Sequence, residues 1–138
     1  MSEIVEIKDI EYEATWPIRH KVMWPDHPFD FVKVPNDHEG VHYGLFVGGT
    51  LTSVISLFFD GERAQFRKLA TLQTEQGKGY GSQLLRHAIQ EVKAKGAKLL
   101  WCNARMGKTD FYHRFGMRET DRTYVKGGID FVVMEVEL

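Results

Sequence analysis

Between residues 76 and 82 the chain reads Gln76-Gly77-Lys78-Gly79-Tyr80-Gly81-Ser82, with glycine at alternate positions. Glycine takes positive φ without strain and lets the backbone approach a ligand closely. Residues 64–72, just before this loop, read as a strand. After it, Leu84, Leu85, Ala88, Ile89 and Val92 recur at the 3.6-residue period and Gly96 is a natural stop, so an amphipathic helix opens at the loop. Free N–H groups at a helix start, together with the helix dipole, favour an anion there. Lys78 adds a mobile positive charge. From the residues alone this is a phosphate cradle for an unspecified phosphate compound, and a plain glycine-rich turn is as ready a reading. The spacing supplies neither the Gly-x-Gly-x-x-Gly dinucleotide fingerprint nor the Gly-Lys-Ser/Thr of a P-loop.

The rest of the chain gives this loop a setting. Residues 3–8 alternate like a short strand. Residues 12–23 form a plausible helix, with Asp9 as a candidate cap and Pro17 demanding a late start or a kink. Residues 24–40, with Pro25, Pro28, Pro35 and Asn36-Asp37, read as loop with a helical turn. Strands at 42–47 and 51–59 meet at Gly48-Gly49, and Asp60-Gly61 announces the hairpin into 64–72. After the helix come a strand at 98–103, a brief helix at 109–115 ending at Gly116, and a hairpin of 118–125 with 129–136 around Gly127-Gly128. The order is β-α-β-β-β-α-β-α-β-β. It implies an α/β (α+β) fold, a mixed and mostly antiparallel sheet of about six to seven strands with one right-handed crossover at its centre.

A chain of 138 residues suits one domain, residues 1–138. Its net charge of −1, with basic and acidic residues interleaved, gives no reason to expect nucleic acid. No apolar run is long enough to span a membrane. The start, acidic and alternating, does not resemble a targeting peptide, and the lone Cys102 excludes an internal disulfide. These features point to the cytoplasm.

Three segments together resemble the GNAT superfamily of N-acetyltransferases. Gln76-Gly77-Lys78-Gly79-Tyr80-Gly81 matches that family's Gln/Arg-x-x-Gly-x-Gly/Ala signature. Arg67-Lys68-Leu69-Ala70-Thr71-Leu72 is similar to the strand before it. Phe111-Tyr112-His113-Arg114-Phe115-Gly116-Met117 resembles the late Phe-Tyr-x-x-x-Gly-Phe segment, with Met for the final Phe. The resemblance runs from about Ile4 to Leu138. It implies helices on both faces of the sheet and acetyl-CoA as donor, held in the split between the two central parallel strands. Leu69, Ala70 and Thr71 then pair with the pantetheine arm, and Gln76, Gly77, Lys78, Gly79, Tyr80, Gly81 and Ser82 take the pyrophosphate. Asn103 is a further candidate for the arm, with turn-capping as its alternative role.

Acyl transfer to an amine needs a neutral nucleophile, a stabilised oxyanion and a protonated leaving thiolate. A lysine-like amine with pKa ~10.4 costs roughly 4–5 kcal/mol to present neutral at pH 7. The resemblance assigns the oxyanion to a strand N–H at Leu69 or Ala70 and the general acid to Tyr112. Tyr112 lies about 100° round the helix from Phe111, free to face the split while Phe111 and Phe115 pack inward. Some members carry a glutamate base about eleven residues before the loop's Gln/Arg; here that position is Gln65, which cannot act as one. Proton relay through water is then favoured, with His20, Asp26 or His42 as lesser candidates.

The resemblance implies as acceptor a primary amine of a small molecule or peptide, attacking directly. A non-catalytic acyl-CoA-binding sensor on the same fold is the alternative. By the family's layout Arg19, His20 and Trp24 border the acceptor, although Trp24 and Phe29 equally suit closing the core. Arg19, Lys21, Asp26, His27, Asp30 and Lys33 mix charges and select no acceptor sign. A homodimer through the last strands stays open. His38-Glu39-Gly40-Val41-His42 spells the H-E-x-x-H zinc motif, but Gly40 and the following strand pattern argue against the helix it requires, so no metal is expected. Cys102, among Leu99, Leu100 and Trp101, reads as an inert buried thiol.

Overall fold

The computed structural model describes residues 3–138. Among these, seven strands form one sheet: β1 (Val5–Ile10), β2 (Val41–Val47), β3 (Thr50–Asp60), β4 (Arg63–Thr71), β5 (Leu99–Arg105), β6 (Arg118–Lys126) and β7 (Ile129–Glu137). Their spatial order is β1-β2-β3-β4-β5-β7-β6. Every neighbouring pair is antiparallel except β4 with β5. The α-helices are α1 (Trp16–Met23), α2 (Tyr80–Ala94) and α3 (Thr109–His113). The order of elements is the one expected from the sequence.

Two details differ. The helix expected at 12–23 divides into a 3-10 turn, Tyr12–Thr15, and then α1, whose first turn contains Pro17. Proline is tolerated there because its missing N–H has no intrahelical partner to lose. Asp9 is not a cap but a residue of β1, paired with Tyr43. The irregular stretch that follows α1 holds two more 3-10 turns, Phe29–Val32 and Asp37–Glu39.

Helices cover both faces of the sheet, so β3 is buried without alternation from Thr52 to Phe58. On one face α2 packs Leu84, Leu85, Ala88 and Val92 against Leu45, Ile55, Leu57 and Phe66. On the other, Ile18 of α1 packs against Val54 and Ala70. Each fully buried leucine of α2 contributes about 1.5–3 kcal/mol. That face therefore fixes where α2, and with it the glycine loop, must begin.

The central parallel pair is short. β4 and β5 are matched only at Arg63–Leu99, Ala64–Leu100 and Gln65–Trp101. Beyond Gln65 the strands part. Within β4, Ser56 faces Arg67 while Val54 faces Ala70, so β4 holds one residue more than β3 over this stretch. Lys68 occupies that bulge with φ of 58°, the one non-glycine residue of positive φ among those described. The bulge inverts the alternation: Ala64 and Phe66 join the α2 side of the core, and Ala70 joins the α1 side. Ser53 Oγ donates to Ala70 O (3.1 Å) and Leu72 N–H to Thr52 O (2.9 Å), holding the far end of β4 on β3 and away from β5.

Candidate active site

Where β4 and β5 part, a cleft of about 770 Å³ opens. Phe66 to Thr71 form one wall, Cys102, Asn103 and Arg105 of β5 another, and α3 contributes Phe111 and Tyr112. The loop and first turn of α2 close one end with Gln76, Gly77, Gly79, Tyr80, Gly81 and Ser82.

The loop's conformation follows from its glycines. Gly77 and Gly79 have φ of 83° and 85°, and a Cβ on either would meet nothing within 4 Å. Backbone conformation, not crowding, is what requires glycine at both. The first main-chain bond of α2 runs from Gln83 N–H to Gly79 O (3.0 Å), and no side chain caps the helix. The N–H groups of Tyr80, Gly81 and Ser82 therefore precede the helical ladder and lie at the cleft. Gln76 donates through Nε2 to Thr71 O (3.0 Å), tying the loop to the end of β4. The side chain of Lys78 is engaged locally. It does not line the cleft, and its ammonium is paired with Glu75 (2.6 Å), which raises its pKa.

Tyr112 lies against Phe66, with ring centroids 5.8 Å apart, and beside Cys102. Burial first, then the neighbouring sulfur, push its phenol up to about 12, with Arg105 opposing. Burial likewise pushes the Cys102 thiol up to about 12. Near neutral pH both groups carry their protons. The cleft thus has the uncapped N-terminus of α2 at one end and a protonated phenol in a partly apolar wall.

The sequence model of the acetyltransferase (GNAT) domain matches residues 33–138. The chain is 32% identical over 135 residues to the uncharacterized N-acetyltransferase YitI of Bacillus subtilis (strain 168), covering 91% of each. It belongs to the GNAT acetyltransferase family. Solved structures agree at the level of fold. The ribosomal-protein-S18-alanine N-acetyltransferase of Escherichia coli superposes with a TM-score of 0.80 at 18% identity, covering 97% of this chain and 94% of that one. A GNAT family acetyltransferase from Elizabethkingia anophelis with acetyl-CoA bound gives 0.75 at 20% identity, covering 97% and 98%. The non-catalytic sensor reading is not favoured by these matches.

Within this GNAT chain the residues expected at the acceptor side, Arg19, His20 and Trp24, are not among those lining the cleft. Arg19 is wholly buried and does not reach the cleft. Its Nη1 donates to Asp37 Oδ2 (2.8 Å) and Val32 O (3.1 Å), and its Nη2 to Asp37 Oδ1 (3.0 Å) and Ser56 Oγ (2.8 Å). Asp37 also accepts from Trp16 Nε1 (3.0 Å) and Val34 N–H (3.0 Å). Its own burial works to raise its pKa, but these donors and the Arg19 charge outweigh that and hold it below the ordinary carboxylate value. His42, weighed as a base, is buried beneath this network between Ser56 Oγ (2.7 Å) and Asp37 O (2.8 Å), with its pKa lowered chiefly by burial. Arg19 and His42 position the segment before β2; neither faces the cleft.

His20 donates to His27 O (2.7 Å), and Trp24 packs edge-on to His27 and Phe31 with the Arg105 guanidinium 5.7 Å from its ring. Of α1, it is Val22 and Met23 that line the cleft. Gln65 is 5% exposed and its Oε1 accepts from Arg67 Nε (2.8 Å). His38 lies in a 3-10 turn and His42 in β2, so they share no helix face. No helix among the described residues is long and apolar enough to cross a membrane. Sequence reasoning passed over Arg67 and Arg105 at the cleft; the alternation of β4 before its bulge, which sets Arg67 beside Gln65, is the signal that could have found the first.

Proposed function

We propose that this chain transfers an acetyl group from acetyl-CoA to a primary amine of a small molecule or peptide by direct attack, with Tyr112 as general acid. The observation that carries the reading is the cleft between diverging β4 and β5, with the α2 N-terminus at one end and Tyr112 in its wall. The residues present fit the donor: the N–H groups of Tyr80, Gly81 and Ser82 for a pyrophosphate, the free edge of β4 at Leu69, Ala70 and Thr71 for an amide-bearing arm, and Asn103 opposite. The bound thioester supplies an activated acetyl group. The chain supplies position, an oxyanion donor from the β4 backbone at Leu69 or Ala70, and a proton from Tyr112 Oη to the departing sulfur. A phenol at about 12 is reliably loaded with its proton at neutral pH, and hydrogen bonding to the sulfur is what makes its transfer feasible.

No carboxylate stands at Gln65, so the amine loses its proton through water. We place the enzyme in the cytoplasm and treat residues 1–138 as one domain. Tyr112→Phe tests the reading: turnover should fall about tenfold or more while CoA still binds. Unchanged turnover removes Tyr112 from the chemistry.

A further inference from the structure

Arg67 lines both the 770 Å³ cleft and a second hollow of about 470 Å³. It stands immediately before the bulge, where β4 leaves β5. Its guanidinium is held by neutral groups: Nε donates to Gln65 Oε1 (2.8 Å), Nη1 points to Asn36 Oδ1 (3.4 Å), and the group lies 4.6 Å from the Phe58 ring centroid. The ion pairs found within 4.0 Å among the described residues all involve other cations.

Burial works against the Arg67 charge, and Arg19 adds to that, while Asp37 and Tyr124 favour it only from a distance, with no carboxylate among the described residues within 4.0 Å of it. Arg63 and Arg122 line the second hollow against one carboxylate, Asp60. The neighbouring ammonium of Lys68 is held below the ordinary lysine value by burial and by Arg19, Lys126 and Arg67, with Asp37 alone opposing. Asp37 is already engaged by Arg19. Across the gap, Arg105 adds another cation to the cleft wall. Among the described residues the one carboxylate lining the cleft, Glu75, is paired with Lys78, and cations that outnumber the carboxylates near them repel one another in a cleft that concentrates their field. A guanidinium fixed along one edge offers its remaining N–H groups to a carboxylate or phosphate.

We infer that the acceptor carries an anionic group, a carboxylate or a phosphate, beside its amine, and that Arg67 is the residue that selects it. The inference rests on the acetyl-transfer reading and adds the acceptor's class. The residues around α1 weighed from the sequence are mixed in sign; β4, β5 and β6 supply the bias.

Matched pairs test it. CoA release is measured with amino acids each against its own carboxamide, and with O-phosphoethanolamine against ethanolamine as the phosphate arm. The anionic member of the active pair should have kcat/KM about tenfold or more above its neutral partner. Arg67→Gln should erase that preference by raising KM for the anionic member, and Arg67→Lys should keep part of it. Equal use of both members by the wild-type enzyme, preference for the neutral member, or an equal loss on both in Arg67→Gln overturns the inference. If no amine releases CoA although CoA binds, the transfer reading fails instead. Melting-temperature shifts of the CoA-loaded protein then decide the inference. Anionic compounds should raise the temperature, their amides should not, and Arg67→Gln should lose the shift; any other pattern overturns it.

Discussion

Replacing Asp37 with Asn keeps the side chain's shape and removes its charge, leaving Arg19 with no counter-ion in a site it cannot leave. The wild-type carboxylate accepts two bonds from the guanidinium, one from Trp16 Nε1 and one from Val34 N–H. Arg19 is 0% exposed, so water does not replace what is lost. Breaking one half of a buried pair costs about 3–5 kcal/mol, a large part of a total of about 5–15. At this chain length that lowers the melting temperature by roughly 10–20 °C. Urea unfolding of the wild type, Asp37→Asn, Arg19→Met and the double variant measures it. The double variant should recover part of the loss, since it no longer buries a lone charge. Because the folded state holds Asp37 below its unfolded value, its contribution is present above the unfolded carboxylate pKa and disappears as pH falls through the lower folded value. Stability of Asp37→Asn should therefore vary less with pH below about 4. A cost under about 1 kcal/mol, or a double variant no better than the sum of the singles, refutes the assignment of this pair as a buried electrostatic unit.

Other expectations concern the cleft. With its pKa near 12, native Cys102 should react with a thiol reagent at pH 8 about 100-fold or more slowly than the unfolded chain; equal rates would contradict its buried environment. Raised values at Tyr112 and Cys102 mean stability contributed below their unfolded pKa values and lost as pH rises towards 12, which alkaline unfolding curves follow. Gly79→Ala forces a side chain into φ of 85°, so stability should fall by about 1–2 kcal/mol and CoA affinity with it; calorimetry that finds both unchanged would remove the conformational argument for that glycine.

The hairpins were legible because Gly48-Gly49 and Gly127-Gly128 occur between runs of strand-forming residues, and α2 because its apolar period is strong. The cleft-lining loop was legible from its glycines. Other features were not. Arg19 and Asp37 lie 18 residues apart and look like solvated charges in the sequence; only the packing of α1 against the turn before β2 brings them together. The bulge at Lys68 has no signature, since neither Lys68 nor Leu69 is a residue that favours it. A strict alternation count therefore puts Ala70 on the same face as Ala64 and Phe66, which the structure contradicts. Lys78 reads as a mobile charge although Glu75 stands only three residues away, because the 3-10 turn Gln73–Glu75 that precedes the loop is not evident from the sequence.

The short β4–β5 ladder has a consequence for the protein's persistence. Beyond Gln65 the sheet has an edge in its interior rather than at its rim, with backbone groups of β4 facing a gap instead of a neighbouring strand. A ligand bound along that edge acts as a missing strand, completing hydrogen bonding that the polypeptide leaves open. Folding and occupancy are then thermodynamically linked: at a ligand concentration 100 times its Kd the native state gains about 2.7 kcal/mol. Under the proposed reading, in which acetyl-CoA lies along that edge, cells depleted of the donor would hold a less stable enzyme, and its abundance would follow the supply of that donor.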